Sequence, residues 1–142
     1  RMDRHCENAV KVAEFLKKSP HVTWVNYPGL MSDPDYPLVK KLMGGKASSV
    51  LSFGIKGGRV NGGKFIDNLE LITRLVNIGD AKSLACHPAS TTHRQLSPRE
   101  LDSAGCPEDL VRLSIGIENI DDIIDDISQA LNVTINGKNK KE

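Results

Sequence analysis

The periodicity of apolar residues switches repeatedly between helical and strand spacing, and that alternation most constrains the fold. From Met2 to Lys18 the residues Met2, Cys6, Ala9, Ala13 and Leu16 recur every three or four positions, and Val10, Val12 and Phe15 widen the stripe. This is an amphipathic helix, stopped by Ser19-Pro20. Val22 to Tyr27 is short, β-branched and aromatic, and reads as a strand ending at Pro28-Gly29. Leu38 to Met43 adds a short helix closed by Gly44-Gly45, and Ser48 to Ile55 a second strand broken at Gly57-Gly58.

A helix is expected from about Gly62 to Val76, capped by Asn61, with Phe65, Leu69, Ile72 and Val76 on its buried face. Ala81 to Cys86 reads as a third strand. Ser97-Pro98-Arg99-Glu100 matches a capping box with proline at the first helical position, and Gly105 marks the end of that short helix. Leu110 to Ile115 alternates as a fourth strand. Ile120, Ile123, Ile124, Ile127 and Leu131 define a last helix capped by Asn119, with Asp121, Asp122, Asp125 and Asp126 assigned to solvent.

The expected fold is therefore α+β: a small mixed or antiparallel sheet of about four strands with helices on one face. A chain of 142 residues, 39% hydrophobic, holds one such core. The domain is placed at residues 1–131, followed by a polar, frayed tail at 132–142. Because Arg1 opens directly onto a helix, the chain reads as a piece of a longer polypeptide.

Nineteen basic and 18 acidic residues leave a formal charge of +1, which gives no electrostatic reason to expect nucleic acid or an anionic membrane as partner. No apolar run is long enough to span a bilayer, and a soluble, cytoplasmic protein is expected. The three cysteines, Cys6, Cys86 and Cys106, are odd in number and widely spaced, as reduced thiols would be.

Three constellations invite chemistry. Gly58-Arg59-Val60-Asn61-Gly62-Gly63-Lys64 fits the first seven positions of a phosphate-binding loop, but Phe65 stands where a hydroxyl must hold magnesium, so a strand-to-helix turn is the better reading. Cys86, His87 and His93 are residue types that zinc favours. Neighbours on a strand point to opposite faces, so Cys86 and His87 do not share an ion, and no metal site is expected. Arg112 interrupts the apolar strand Val111-Arg112-Leu113-Ser114-Ile115 and falls with Ser114 on the face opposite the other three. A guanidinium on a rigid strand presents paired donors to a carboxylate; the alternative is a solvated surface arginine.

Five segments taken together resemble the C-terminal part of the Cys/Met metabolism family of pyridoxal-phosphate enzymes. They are Arg1-Met2-Asp3-Arg4-His5-Cys6-Glu7-Asn8-Ala9, Val25-Asn26-Tyr27-Pro28-Gly29-Leu30, Gly79-Asp80-Ala81-Lys82-Ser83-Leu84, His87-Pro88-Ala89-Ser90-Thr91-Thr92-His93 and Val111-Arg112-Leu113-Ser114-Ile115-Gly116-Ile117-Glu118. The likeness runs from Arg1 to about Leu131. Asn77-Ile78-Gly79-Asp80 and Thr91-Thr92-His93 are most similar to the O-acetylhomoserine sulfhydrylase branch, which replaces an acetoxy group with sulfide or a thiol. Cystathionine gamma-synthase and methionine gamma-lyase are the neighbouring alternatives within the family. A free-standing α+β binding or regulatory module is the alternative outside it.

The resemblance implies the small domain of a fold-type-I enzyme, with Arg112 and the Asn77 region gripping the α-carboxylate of a small amino-acid substrate. It also implies that the His87–His93 loop borders the active site. Pyridoxal phosphate would be bound by a lysine of a large N-terminal domain, in a homotetramer. Lys46, Lys56, Lys64 and Lys82 lack the context of that lysine, so no catalytic or cofactor-binding residue is assigned here, and the chain alone is expected to be inactive.

Overall fold

A computed structural model describes residues 1–137. Helix α1 (Met2–Lys18) is followed by strand β1 (Val22–Asn26), helix α2 (Tyr36–Met43), strand β2 (Val50–Ile55) and helix α3 (Gly58–Asp67). Strands β3 (Thr73–Arg74) and β4 (Leu84–Cys86), a 3-10 turn at Pro88–Ser90, helix α4 (Pro98–Ser103), strand β5 (Leu110–Ser114) and helix α5 (Ile120–Asn136) complete the chain. The sheet order is β1-β2-β5-β4-β3. All pairings are antiparallel except β3 with β4, so the sheet is mixed, with one strand more than expected.

Strand alternation divides the sheet into two faces. Leu51, Phe53, Val111, Leu113 and Ile115 are buried against Val12 and Leu16 of α1, Phe65 of α3, and Ile123, Ile127 and Leu131 of α5. Phe53 and Phe65 meet edge to face with ring centroids 5.6 Å apart. Burying each such side chain contributes about 1.5–3 kcal/mol, and the helices accordingly occupy this one face. On the opposite face stand Asn26, Val50, Ser52, Leu110, Arg112 and Cys86, and among the described residues no α-helix lines the cleft they form.

The capping box is present in full: the Ser97 hydroxyl accepts from Glu100 N and the Glu100 carboxylate from Ser97 N. Asn119 caps α5 through Asp121 N. Helix α5 runs on to Asn136, through five residues assigned to the tail; residues 138–142 of that tail lie outside the described residues.

The helix expected over 62–76 is instead α3 at Gly58–Asp67, capped by Gly57 at φ 94° and not by Asn61, whose side chain donates to Lys56 O. The helix stops because the Asp126 carboxylate accepts from Glu70 N, Leu71 N and Ile72 N at 2.8, 3.0 and 2.8 Å, drawing those donors out of any helical ladder. The chain then runs extended as β3 beside β4. For the same reason Asp126 is 6% exposed, not on the solvent face with Asp121, Asp122 and Asp125.

Candidate active-site cleft

The uncovered face of the sheet holds a cleft of about 520 Å³. The strands supply its floor: Asn26 from β1, Val50 and Ser52 from β2, Leu110 and Arg112 from β5, Cys86 from β4. Register places Ser52 opposite Asn26 on one side and opposite Arg112 on the other, and Cys86 opposite Arg112, so these four side chains share the face. Pro28, Val76, Pro88, Thr92, His93 and Cys106 form the rim.

Arg112 is half-buried, and its Nη2 donates to the Asn77 carbonyl at 3.5 Å. Among the described residues, no carboxylate pairs with it. Asn77 itself is exposed; its Oδ1 accepts from Ile78 N at 2.9 Å, and its backbone, not its amide group, reaches Arg112. Thus the structure brings Arg112, the Asn77 turn and the Thr92–His93 end of the loop to one cleft.

The turn is tied down on its far side. Gly79 N donates to Ser114 Oγ at 3.3 Å, and Arg1 Nη2 donates to Gly79 O at 3.1 Å. Glu118 accepts from both the backbone N and the hydroxyl of Ser83, and Ser83 Oγ in turn accepts from Gly116 N at 2.9 Å. Two buried polar residues of α1 complete the clasp: Asn8 donates to Gly116 O and Glu118 O, and His5 Nδ1 lies 2.7 Å from Ile115 O. The segment after β5 and the segment before β4 are therefore held as one unit beside Arg112.

His87 lies on the core side of the sheet. It is 1% exposed, with Nδ1 2.6 Å from Ser90 Oγ and Nε2 2.7 Å from Glu108 O, so both ring nitrogens are engaged. Burial pushes its pKa below the ordinary histidine value against the opposing pull of the Glu108 carbonyl, and a neutral imidazole is favoured. Cys86, on the cleft side, has its thiol pushed up by burial, with the Arg112 guanidinium pulling the other way. The phosphate-loop likeness at Gly58–Lys64 is the first turns of α3, where Gly62 packs on the His87 ring so closely that a Cβ would overlap it.

Asn26 and Ser52 were legible as open-face residues from strand alternation, though neither was singled out. Cys106 sits in the irregular turn after α4, where no pattern announces its direction.

Among the described residues, no lysine lines the cleft. Lys46 pairs with Asp3, and Lys56, Lys64 and Lys82 are exposed elsewhere. The described residues do not fit a covalently held pyridoxal phosphate; what they offer is a cation facing an open, largely apolar cleft.

A family model described as Cys/Met metabolism PLP-dependent enzyme matches residues 1–132. An O-acetyl-L-homoserine sulfhydrylase of Leptospira meyeri is 57% identical over 132 residues, covering 92% of this chain and 30% of the relative. A homocysteine synthase of Schizosaccharomyces pombe is 50% identical over 133 residues (94% and 31%), and an L-methionine gamma-lyase of Pseudomonas putida 48% over 131 (92% and 33%). The crystal structure of a putative O-acetylhomoserine (thiol)-lyase from Campylobacter jejuni, with a pyridoxyl-lysine monophosphate at its position 205, superimposes with TM-score 0.84 at 45% identity. It covers 93% of this chain and 31% of that one. The chain spans about a third of the length of these relatives. It belongs to the Cys/Met metabolism family of pyridoxal-phosphate-dependent enzymes.

Proposed function

We propose that this chain is the substrate-carboxylate-binding part of an O-acetylhomoserine sulfhydrylase, the Asn77 turn positioning Arg112. The observation that carries the reading is the Arg112 guanidinium: half-buried on a rigid strand, at the floor of a largely apolar cleft, with a backbone carbonyl but no carboxylate beside it among the described residues. A charge in that setting gains most from an external anion with paired oxygens. The sulfhydrylase relative, at 57% identity against 48% for the methionine gamma-lyase, favours O-acetylhomoserine as the amino acid that brings it.

In this reading pyridoxal phosphate supplies the electron sink and is held by a lysine of the large domain of the complete enzyme, the described lining of this cleft containing no lysine. The chain by itself is then inactive, and completion by the large domain, in a tetramer, covers the open sheet face. Arg112 orients the substrate, and apolar Val76 and Pro28 at the rim, with Leu110 on the floor, exclude water around the ion pair.

The test is Arg112→Ala in the full-length enzyme. The KM for O-acetylhomoserine should rise tens- to thousands-fold, corresponding to about 2–5 kcal/mol for a broken buried charge pair, while the cofactor absorbance stays in place. Loss of that absorbance with KM unchanged would assign Arg112 to the cofactor and end the proposal.

A further inference from the structure

Two of the three cysteines meet at the cleft. Cys86 is directly opposite Arg112 across the β4–β5 pairing and 6% exposed, and Cys106 is half-buried on the rim, immediately before Pro107 in the turn from α4 to β5. Cys106 N donates to Leu101 O at 2.9 Å and Leu110 N to Pro107 O at 3.0 Å, so this turn is anchored at both ends while its own backbone lies outside the sheet. The segments that carry them are tied together: His87 Nε2, next to Cys86, lies 2.7 Å from Glu108 O, two residues after Cys106, and both thiols line the one cleft with Arg112 opposite the inner one. Cys6, by contrast, is buried on α1 in the helical layer across the sheet. Nothing in the proposed grip on a carboxylate uses either thiol of the cleft.

We propose that Cys86 and Cys106 are a reversible dithiol–disulfide pair inside the Arg112 cleft, oxidised by low-molecular-weight disulfides of the glutathione class. Accessibility sets the order of events. The Cys106 thiolate, at the rim, attacks one sulfur of the small disulfide; a mixed disulfide forms on Cys106 and one small thiolate leaves. The Cys86 thiolate then attacks Cys106 Sγ, the second small thiolate departs and takes up the proton that Cys86 gave up. Two protein thiols are oxidised to one disulfide, and one small disulfide is reduced to two thiols. Arg112 serves the second step by stabilising the attacking Cys86 thiolate against the burial that opposes its ionisation. A disulfide needs Cα atoms within about 7 Å, and the closing movement falls to the turn between its two anchors, whose backbone lies outside the sheet. The pair does not depend on which amino acid the cleft accepts.

The experiment uses the intact protein, reduced, then exposed to oxidised glutathione under native conditions. Free thiols are blocked and the protein is digested without reduction for peptide mass spectrometry. The expected result is a cross-link joining the Cys86 and Cys106 peptides, both lost from alkylation, with Cys6 still a free thiol and dithiothreitol restoring the pair. Cys106→Ser should abolish the cross-link and leave Cys86 free, while Cys6→Ser should change nothing. Unaltered circular dichroism shows that the oxidised protein is folded. A persistent glutathione adduct on Cys106 with Cys86 free, no reaction at either thiol, or a link from either to Cys6 or to a second chain would overturn the proposal.

Discussion

Asp126→Ala should be among the most destabilising single changes on α5, and its cost can be worked from the hydrogen bonds. One carboxylate accepts three successive backbone donors, Glu70 N, Leu71 N and Ile72 N, at 2.8–3.0 Å, and Gln129 Nε2 at 3.0 Å. Each bond to a charged acceptor is worth about 1.5–3 kcal/mol net. Glu70 and Leu71 are exposed, and water can replace the carboxylate at their donors, whereas Ile72 is 4% exposed and its N–H would be left without a partner. Counting the Ile72 bond in full and the others in part gives roughly 3–4 kcal/mol. At about 3 °C per kcal/mol for a chain of this size, the melting temperature should fall by roughly 10 °C. Urea unfolding is the assay, and the midpoint should drop with the slope unchanged, because the native surface is the same apart from the clamp. Asp126→Asn keeps one acceptor oxygen and should lose roughly half as much. If Asp126→Ala unfolds within about 0.5 kcal/mol of the parent, the clamp does not hold β3 in place and the account of why α3 stops at Asp67 fails.

Gly62→Ala should destabilise by about 1–3 kcal/mol in urea unfolding, although alanine ordinarily favours a helix over glycine, because the added methyl meets a His87 ring held by Ser90 and Glu108. Gly63→Ala is the control: its nearest neighbour is Ser90 Oγ at 4.0 Å, and it should be neutral or slightly stabilising. Ser97→Ala removes one side of the capping box and should cost about 1 kcal/mol by the same measurement. The lowered pKa of His87 means that the unfolded chain binds the proton more tightly than the native one. Its contribution is therefore fully present above the ordinary histidine value of about 6.5 and is lost as pH falls from there through the folded value. His87→Asn should flatten that part of the stability–pH curve, and an unchanged slope would count against burial as the cause.

The elements that local patterns define were legible at the level of single residues. Helix α1 begins and ends where its stripe and Ser19-Pro20 place it, and the Ser97–Glu100 box is formed by both of its bonds. Arg112 falls on the face opposite Val111, Leu113 and Ile115 because strand alternation leaves it nowhere else. What escaped is what a distant residue decides. Leu69, Ile72 and Val76 continue the helical spacing of α3, and only a carboxylate more than fifty positions away takes their neighbours' donors and lays the segment down as β3. The roles of His5, Asn8 and Glu118 escaped for the same reason: an apolar stripe says nothing of what a polar residue bonds, and each is held by a backbone group more than thirty residues off.

Those long-range bonds explain why the turn beside Arg112 is fixed although, among the described residues, its face of the sheet carries no α-helix. No residue of the 77–83 segment belongs to the apolar core that α1, α3 and α5 share with the sheet. Hydrogen bonds hold it instead: Ser83 is gripped by Glu118 and Gly116, Gly79 by Ser114 and Arg1, and the 115–118 segment by His5 and Asn8 of a helix that is itself locked in the core. Gly116 has room for no side chain, because a Cβ there would overlap the Ala81 carbonyl and the Lys82 backbone. Gly116→Ala should therefore push the 77–83 turn off Arg112 while leaving Val111, Leu113 and the helical layer in register. In amide hydrogen exchange, protection should fall at Gly79 and Ser83 and persist at Leu113 and Leu51. Uniform loss across the sheet would mean that the turn and the core unfold together, and that the turn beside Arg112 is not a separately held unit.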